Sequence, residues 1–173
     1  MPTMKTGFSN SAMLEAVLRY LRYTPGAAVG ETIRQRVEQA LAEVEDLSNF
    51  KYIYAHYKEP MEFMKQTEYQ EYLSGAEGYL LCATTLGVQV DRRIKRLQMS
   101  DMSDALIFDA AASAYLECRA NDFEASLPFE NLGSRFCPGY GGTSLQDNRI
   151  IAEQLQASQI GITFLDSNLM VPM

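Results

Sequence analysis

The sequence predicts an α+β protein whose opening is helical and whose strands come later. Three observations carry that expectation. Apolar residues recur at helical spacing in two stretches before residue 50. The period then drops to two at 50–57, and short apolar runs follow at 79–84 and 160–165. Between these runs lies an alanine-rich stretch long enough to form the longest helix of the chain. The expected division is a helical arm over 1–49 and an α+β core over 50–173.

Residues 1–10 read as a loose lead-in, with Ser9 or Ser11 available as an N-cap. Leu14, Val17, Leu18 and Leu21 then define an amphipathic helix to about Arg22, which Tyr23-Thr24-Pro25-Gly26 breaks. A second helix runs from Gly30 to Leu47 with Ile33, Val37, Ala40, Leu41 and Val44 on one face. Its opposite face, Glu31, Arg34, Arg36, Glu38, Glu43 and Glu45, reads as solvated. In 50–57, Tyr52, Tyr54 and His56 alternate with Ile53, Ala55 and Tyr57, the pattern of a strand. His56 has no acidic or cysteine partner close in sequence and reads as a polar residue of the strand face. The segment 59–75 reads as short helical turns, with Met61, Phe63, Met64, Tyr69 and Tyr72 laid over the core.

Tyr79 to Thr84 is short and apolar, a buried strand, and Thr85-Leu86-Gly87 leads from it into a helix reaching about Met99. Val90, Ile94 and Leu97 point inward on that helix. Arg92, Arg93, Lys95 and Arg96 form the only concentrated basic patch, either a solvated helix face or a docking face for an acidic partner. The longest helix spans 101–126, with an Asp or Ser cap and a middle of small residues, Ala105, Ala110, Ala111, Ala112 and Ala114. Asp109, Ser113 and Glu117 fall at i, i+4 and i+8, on one stripe. Acids on a buried helix cost free energy unless paired, so they either meet a cationic ligand or are satisfied internally, by Arg119 for instance. A loop over 127–134, a helix over 145–156, a strand over 160–165 and a further strand from Leu169 complete the chain.

Composition narrows the function classes. A length of 173 residues suits one domain, or one domain plus an arm, and 47% hydrophobic with 21% charged residues is ordinary for a globular protein. A net charge of −7 argues against nucleic acid or an anionic membrane as partner. No apolar run approaches a membrane span, and no signal-peptide core opens the chain. Cys82, Cys118 and Cys137 are odd in number and widely spaced, which points to reduced thiols in a cytoplasmic protein and not to a zinc site. One histidine makes His-based catalysis or metal binding unattractive.

The densest chemistry lies in Arg135-Phe136-Cys137-Pro138-Gly139-Tyr140-Gly141-Gly142. Pro138 presets φ and the glycine after it suits a tight type II turn. Gly141 and Gly142 carry no Cβ, so a ligand can approach their backbone. Arg135 offers a planar fork of donors for a carboxylate. The stretch reads as a cradle for a small zwitterionic or anionic ligand; the other reading is a surface turn with Arg135 in a salt bridge.

These residues carry a resemblance. Arg135 to Gly141, the helix after it, Ile160-Gly161-Ile162-Thr163-Phe164-Leu165-Asp166 and Met170-Val171-Pro172 resemble the activation domain of cobalamin-dependent methionine synthase. The chain is more similar still to the short stand-alone proteins related to that domain. Glu15 to Leu21, Ala83 to Gly87 with Asp91-Arg92-Arg93, and Asp109 through Glu117 fit the same pattern. The resemblance implies a twisted antiparallel sheet flanked by helices, binding S-adenosylmethionine. Arg135 would hold the ligand carboxylate, Pro138, Gly139, Tyr140 and Gly141 would border the ligand, and an acid on the long helix would serve its cationic end. Ser113 stands at the turn where full-length synthases carry an acid, so that contact falls between Glu117 and Ser113, with Asp109 on the same stripe. Cys137 sits where stand-alone relatives tend to have Ser. The family continues past Val171-Pro172, so the resemblance implies a chain short of its C-terminal strands.

The implied activity is reactivation by reductive methylation: an electron donor reduces cob(II)alamin and S-adenosylmethionine supplies the methyl group. The cobalamin belongs to the partner, a cobalamin-dependent methionine synthase or another corrinoid protein. The task of this chain is orientation, with Arg92, Arg93 and Arg96 as the docking face. The alternatives are a non-catalytic interaction module that docks on a corrinoid protein without binding S-adenosylmethionine and, below it, a methyltransferase for a small acceptor.

Overall fold

The computed structural model describes residues 10–26 and 28–172. It is α+β, with the helices and strands gathered into two compact units that exchange segments of the chain. One comprises residues up to Phe50 and Leu86–Pro128; the other comprises Lys51–Thr85 and Phe129–Pro172. Described residues between Asn10 and Asn49 therefore share a compact unit with the helices over 86–128. The expected loose lead-in lies outside the described residues, apart from Asn10.

The first unit is helical. Helix α1 (Asn10–Tyr20) and helix α2 (Glu31–Leu47) precede helix α4 (Val88–Ser100) and helix α5 (Met102–Ala125). Helix α5 is the axis of the unit. Its small residues Ala105, Ala110, Ala111, Ala112 and Ala114 are buried, and so let neighbouring backbones approach. Leu14, Val17 and Leu18 of α1, Val37, Ala40 and Val44 of α2, and Val90, Ile94 and Leu97 of α4 share one core with it. Local chemistry sets the boundaries. Arg22 takes a left-handed φ of 64°, and the bonds Tyr23 N–H to Leu18 O (2.9 Å) and Arg22 N–H to Arg19 O (3.0 Å) close α1 in a Schellman turn. Gly87 at φ 89° redirects the chain into α4, while Asn49 N–H donates to Leu86 O at 2.7 Å. The Asp101 carboxylate caps α5 by accepting from Asp104 N–H at 3.0 Å.

The face of α2 expected to be solvated is only partly so. Arg36 donates through Nε to Asp104 at 3.0 Å, and Arg93 Nε lies 2.7 Å from Glu43 Oε1. Both pairs tie α2 to the later helices. Arg36 sits beside Val37 and Glu43 beside Val44, at the border of the buried stripe, where a long side chain reaches the next helix.

In the second unit strand β1 (Lys51–Tyr57) pairs antiparallel with strand β2 (Tyr79–Thr85), from Lys51 opposite Thr85 to Tyr57 opposite Tyr79. The expected alternation holds: Ile53, Ala55 and Tyr57 are half-buried, and Tyr52, Tyr54 and His56 are exposed. Between these strands lie a 3-10 turn (Glu62–Lys65) and helix α3 (Thr67–Leu73). Helix α6 (Asp147–Leu155) covers the inner face, where Phe63, Met64, Tyr69, Leu81 and Leu155 form the core. The strand expected over 160–165 is shorter. A 3-10 turn occupies Ala157–Ile160, Gly161 bends at φ 94°, and Ile162 N–H returns to Ala157 O at 3.2 Å. Only strand β3 (Thr163–Phe164) remains, paired antiparallel with strand β4 (Met170–Val171) in a sheet separate from the first. Arg149 of α6 holds that hairpin: Nη2 donates to Leu165 O at 3.2 Å and the guanidinium lies 5.0 Å from the centre of the Phe164 ring.

Candidate functional site

The glycine-rich stretch forms an irregular loop between Phe129 and α6, braced from several sides. Gly139 takes φ 101°, and its N–H donates to Thr143 Oγ1 at 3.0 Å. Thr143 in turn donates its hydroxyl (2.7 Å) and its N–H (3.1 Å) to Tyr140 O. Asn148 Nδ2 on α6 donates to Pro138 O at 3.1 Å. The turn from Pro138 to Thr143 is therefore held by its own side chains and by the helix that follows.

Helix α3 borders the same loop. The Tyr72 ring stacks on Phe136 with centroids 4.2 Å apart, and Tyr69 meets Phe136 edge-on at 5.6 Å. The Tyr72 hydroxyl occupies the space that a Cβ on Gly141 would need, and Glu68 lies beside Gly142, its Cγ 3.6 Å from where a Cβ there would stand. The bare backbone expected to receive a ligand is thus approached by Tyr72 at Gly141, and the Gly139 N–H is taken by Thr143. Beneath the loop, Asp147, only 6% exposed, accepts the Tyr69 hydroxyl at 2.7 Å. Burial and then the Asp147 carboxylate push the Tyr69 phenol well above its ordinary pKa, so it stays a proton donor. A shallow hollow of about 480 Å³ opens beside this pair, lined by Glu62, Phe63, Lys65, Gln66, Asp147 and Ile150.

Of the residues the sequence singled out, Arg135 and Tyr140 are exposed, Tyr140 by 73%, and Pro138 is buried. Arg135 does not line the hollow beside Asp147. Asp109, Ser113 and Glu117 stand on α5 and belong to the helical unit, whereas Arg135, Pro138, Gly139, Tyr140 and Gly141 belong to the other. The expectation that the α5 acids are buried is corrected. Asp109 and Glu117 are exposed and Ser113 is half-buried, because α1, α2 and α4 take the remaining sides of α5. Glu117 accepts the Tyr20 hydroxyl of α1 at 2.8 Å. Although Asp109 is exposed, its carboxyl pKa lies above the ordinary aspartate value because the surrounding helix atoms desolvate it.

The basic patch on α4 is reduced by one member. Arg93 is drawn to Glu43, whereas Arg92, Lys95 and Arg96 are exposed. Among the described residues none of the three cysteines forms a disulfide, and the buried Cys118 thiol is pushed up by desolvation, away from reactivity.

Sequence reasoning missed Tyr69, Tyr72, Asp147, Thr143 and Asn148 as the frame of this loop. Tyr69 and Asp147 lie 78 positions apart, and no local pattern links them. Thr143-Ser144 followed by Asp147-Asn148 before an apolar helix was the one local signal, that of a turn running into an N-terminus. Among the described residues no group of His, Cys, Asp and Glu could hold a metal ion, and no helix is long and apolar enough to cross a membrane. No family model matches the chain, and no curated protein matches it.

Proposed function

We propose that this chain is an S-adenosylmethionine-binding reactivation component for a cobalamin-dependent methionine synthase, working in the cytoplasm. The observation that supports the reading most is the turn from Pro138 to Thr143, fixed by its own side chains and by α6, with Tyr140 exposed on it and Arg135 exposed just before it in sequence. A guanidinium of this kind fits an amino-acid carboxylate through two parallel hydrogen bonds. An exposed phenol ring fits a sulfonium through its electron-rich face. Because the turn is already ordered, little conformational entropy remains to be lost on binding. When bound, S-adenosylmethionine would supply the methyl group once an electron donor has reduced the partner's cob(II)alamin to cob(I)alamin; Arg135 and the turn orient it. The resemblance leaves the contact to the ligand's cationic end between Glu117 and Ser113, with Asp109 on the same stripe; Glu117 already accepts the Tyr20 hydroxyl.

Isothermal calorimetry with S-adenosylmethionine tests the proposal. Arg135→Ala is expected to weaken binding by roughly 1–3 kcal/mol, the range for a charged hydrogen bond lost. Equal affinity in wild type and variant overturns the role of Arg135. The second reading, an interaction module that binds no S-adenosylmethionine, is favoured by the Gly139 N–H being bonded internally and by the Tyr72 hydroxyl crowding Gly141. Absence of binding heat with wild type supports it.

A further inference from the structure

The outward face of α4 carries a stripe that neither the core of its unit nor its ion pairs explain. Val88, Arg92, Lys95, Arg96 and Met99 follow one another at i, i+4, i+7, i+8 and i+11, which places all of them within about a third of the helix circumference. The opposite side of α4, with Val90, Ile94 and Leu97, is the one that is buried. Met99 is 82% exposed and Val88 48%, and Met102, at the start of α5, is also exposed. Among the described residues, the side chains of Arg92, Lys95 and Arg96 take part in no hydrogen bond or ion pair, while their neighbour Arg93 is held by Glu43.

A charged helix face is ordinarily just solvated. This one differs in having large apolar residues at both ends of a cationic centre, in a chain whose net charge is −7. From Val88 to Met99 the stripe is roughly 17 Å long, three turns of a facing helix. We infer that the α4 stripe, Val88, Arg92, Lys95, Arg96 and Met99, is a docking surface for an acidic amphipathic helix of a partner protein. The cations meet its carboxylates, which set approach and register, and Met99 and Val88 cover its apolar residues. Methionine suits the task because its unbranched thioether adapts to a neighbour's shape. The inference does not depend on Arg135 or on S-adenosylmethionine, and it replaces Arg93 in the expected docking set by Lys95.

The test uses the full chain and a dye-labelled synthetic helix of about three to four turns, with leucines on one face and glutamates on the other. Fluorescence anisotropy is expected to show saturable binding that weakens between low and moderate salt. Arg92→Glu with Arg96→Glu is expected to weaken it tenfold or more, by placing like charges together, and Met99→Ser several-fold. Lys51→Glu, a charge change of the same kind elsewhere on the surface, is expected to leave it unchanged. Circular dichroism confirms that each variant is folded. The inference is overturned if the helix does not bind or if the α4 variants bind like wild type. It is equally overturned if an oligonucleotide of matching charge competes as well as the helix, or if the stripe variants abolish self-association of the chain and not helix binding.

Discussion

Individual residues show how much of the loop geometry rests on single groups. Gly141 is required twice, by its positive φ and by the Tyr72 hydroxyl standing where a side chain would begin. Asp147 and Tyr69 satisfy each other in a buried setting, where loss of either removes a hydrogen bond from the other's polar group. Because the folded state raises the Tyr69 pKa, its contribution to stability persists up to the ordinary tyrosine value near pH ~10 and is lost as pH climbs through the raised one. Arg22 runs the other way: it is a side chain where a glycine would be easier. Arg22→Gly is expected to stabilise the protein by roughly 0.5–1 kcal/mol, since a left-handed residue with a Cβ costs more than the extra chain entropy of glycine. Urea denaturation of the two proteins measures the difference; a variant that is less stable shows that Arg22 makes contacts worth more than the strain.

Among the elements, the ones the sequence declared most clearly are those with a full period and a chemical stop. Helix α2 begins after Gly30 and ends at Leu47, as its apolar spacing requires. Helix α4 follows Gly87, and α5 follows the Asp101 cap. The strand at 160–165 misled because apolar residues in a short run fit a strand and a 3-10 turn equally, and Gly161 decided for the turn. On α5 the acidic stripe was legible, but its exposure was not, since alanine-rich sequence looks alike on every side. Its raised pKa gives Asp109 a testable signature. The folded state disfavours the charged carboxylate, so this group favours folding below the ordinary aspartate value of pH ~4, and that contribution is lost as pH rises through the raised one. Asp109→Asn is therefore expected to be more stable than wild type at neutral pH and equal to it below pH ~4. Urea titrations at both pH values check this, and an equal or opposite difference at neutral pH contradicts it.

For the molecule as a whole, the grouping of α1 and α2 with α4 and α5 makes these two early helices dependent on a helix that begins after residue 100. A fragment of residues 1–49 is expected to be largely unfolded by circular dichroism, because short isolated helices are marginal in water and their apolar stripes lose α5. A fragment with native-like helicity would instead mark an autonomous arm. The sequence by itself determined the mixed helix and strand content, most element boundaries and the dense loop chemistry from Arg135 to Gly142. These follow from periodicity, caps and backbone restrictions, which act within a few residues. Only the tertiary structure decided that Tyr69 meets Asp147, that Tyr72 crowds Gly141, that Arg93 is taken by Glu43, and that the α5 acids and the loop residues belong to different units. Such pairings join residues far apart in the chain, and what selects them is the burial of apolar surface across the whole fold, which no local pattern encodes.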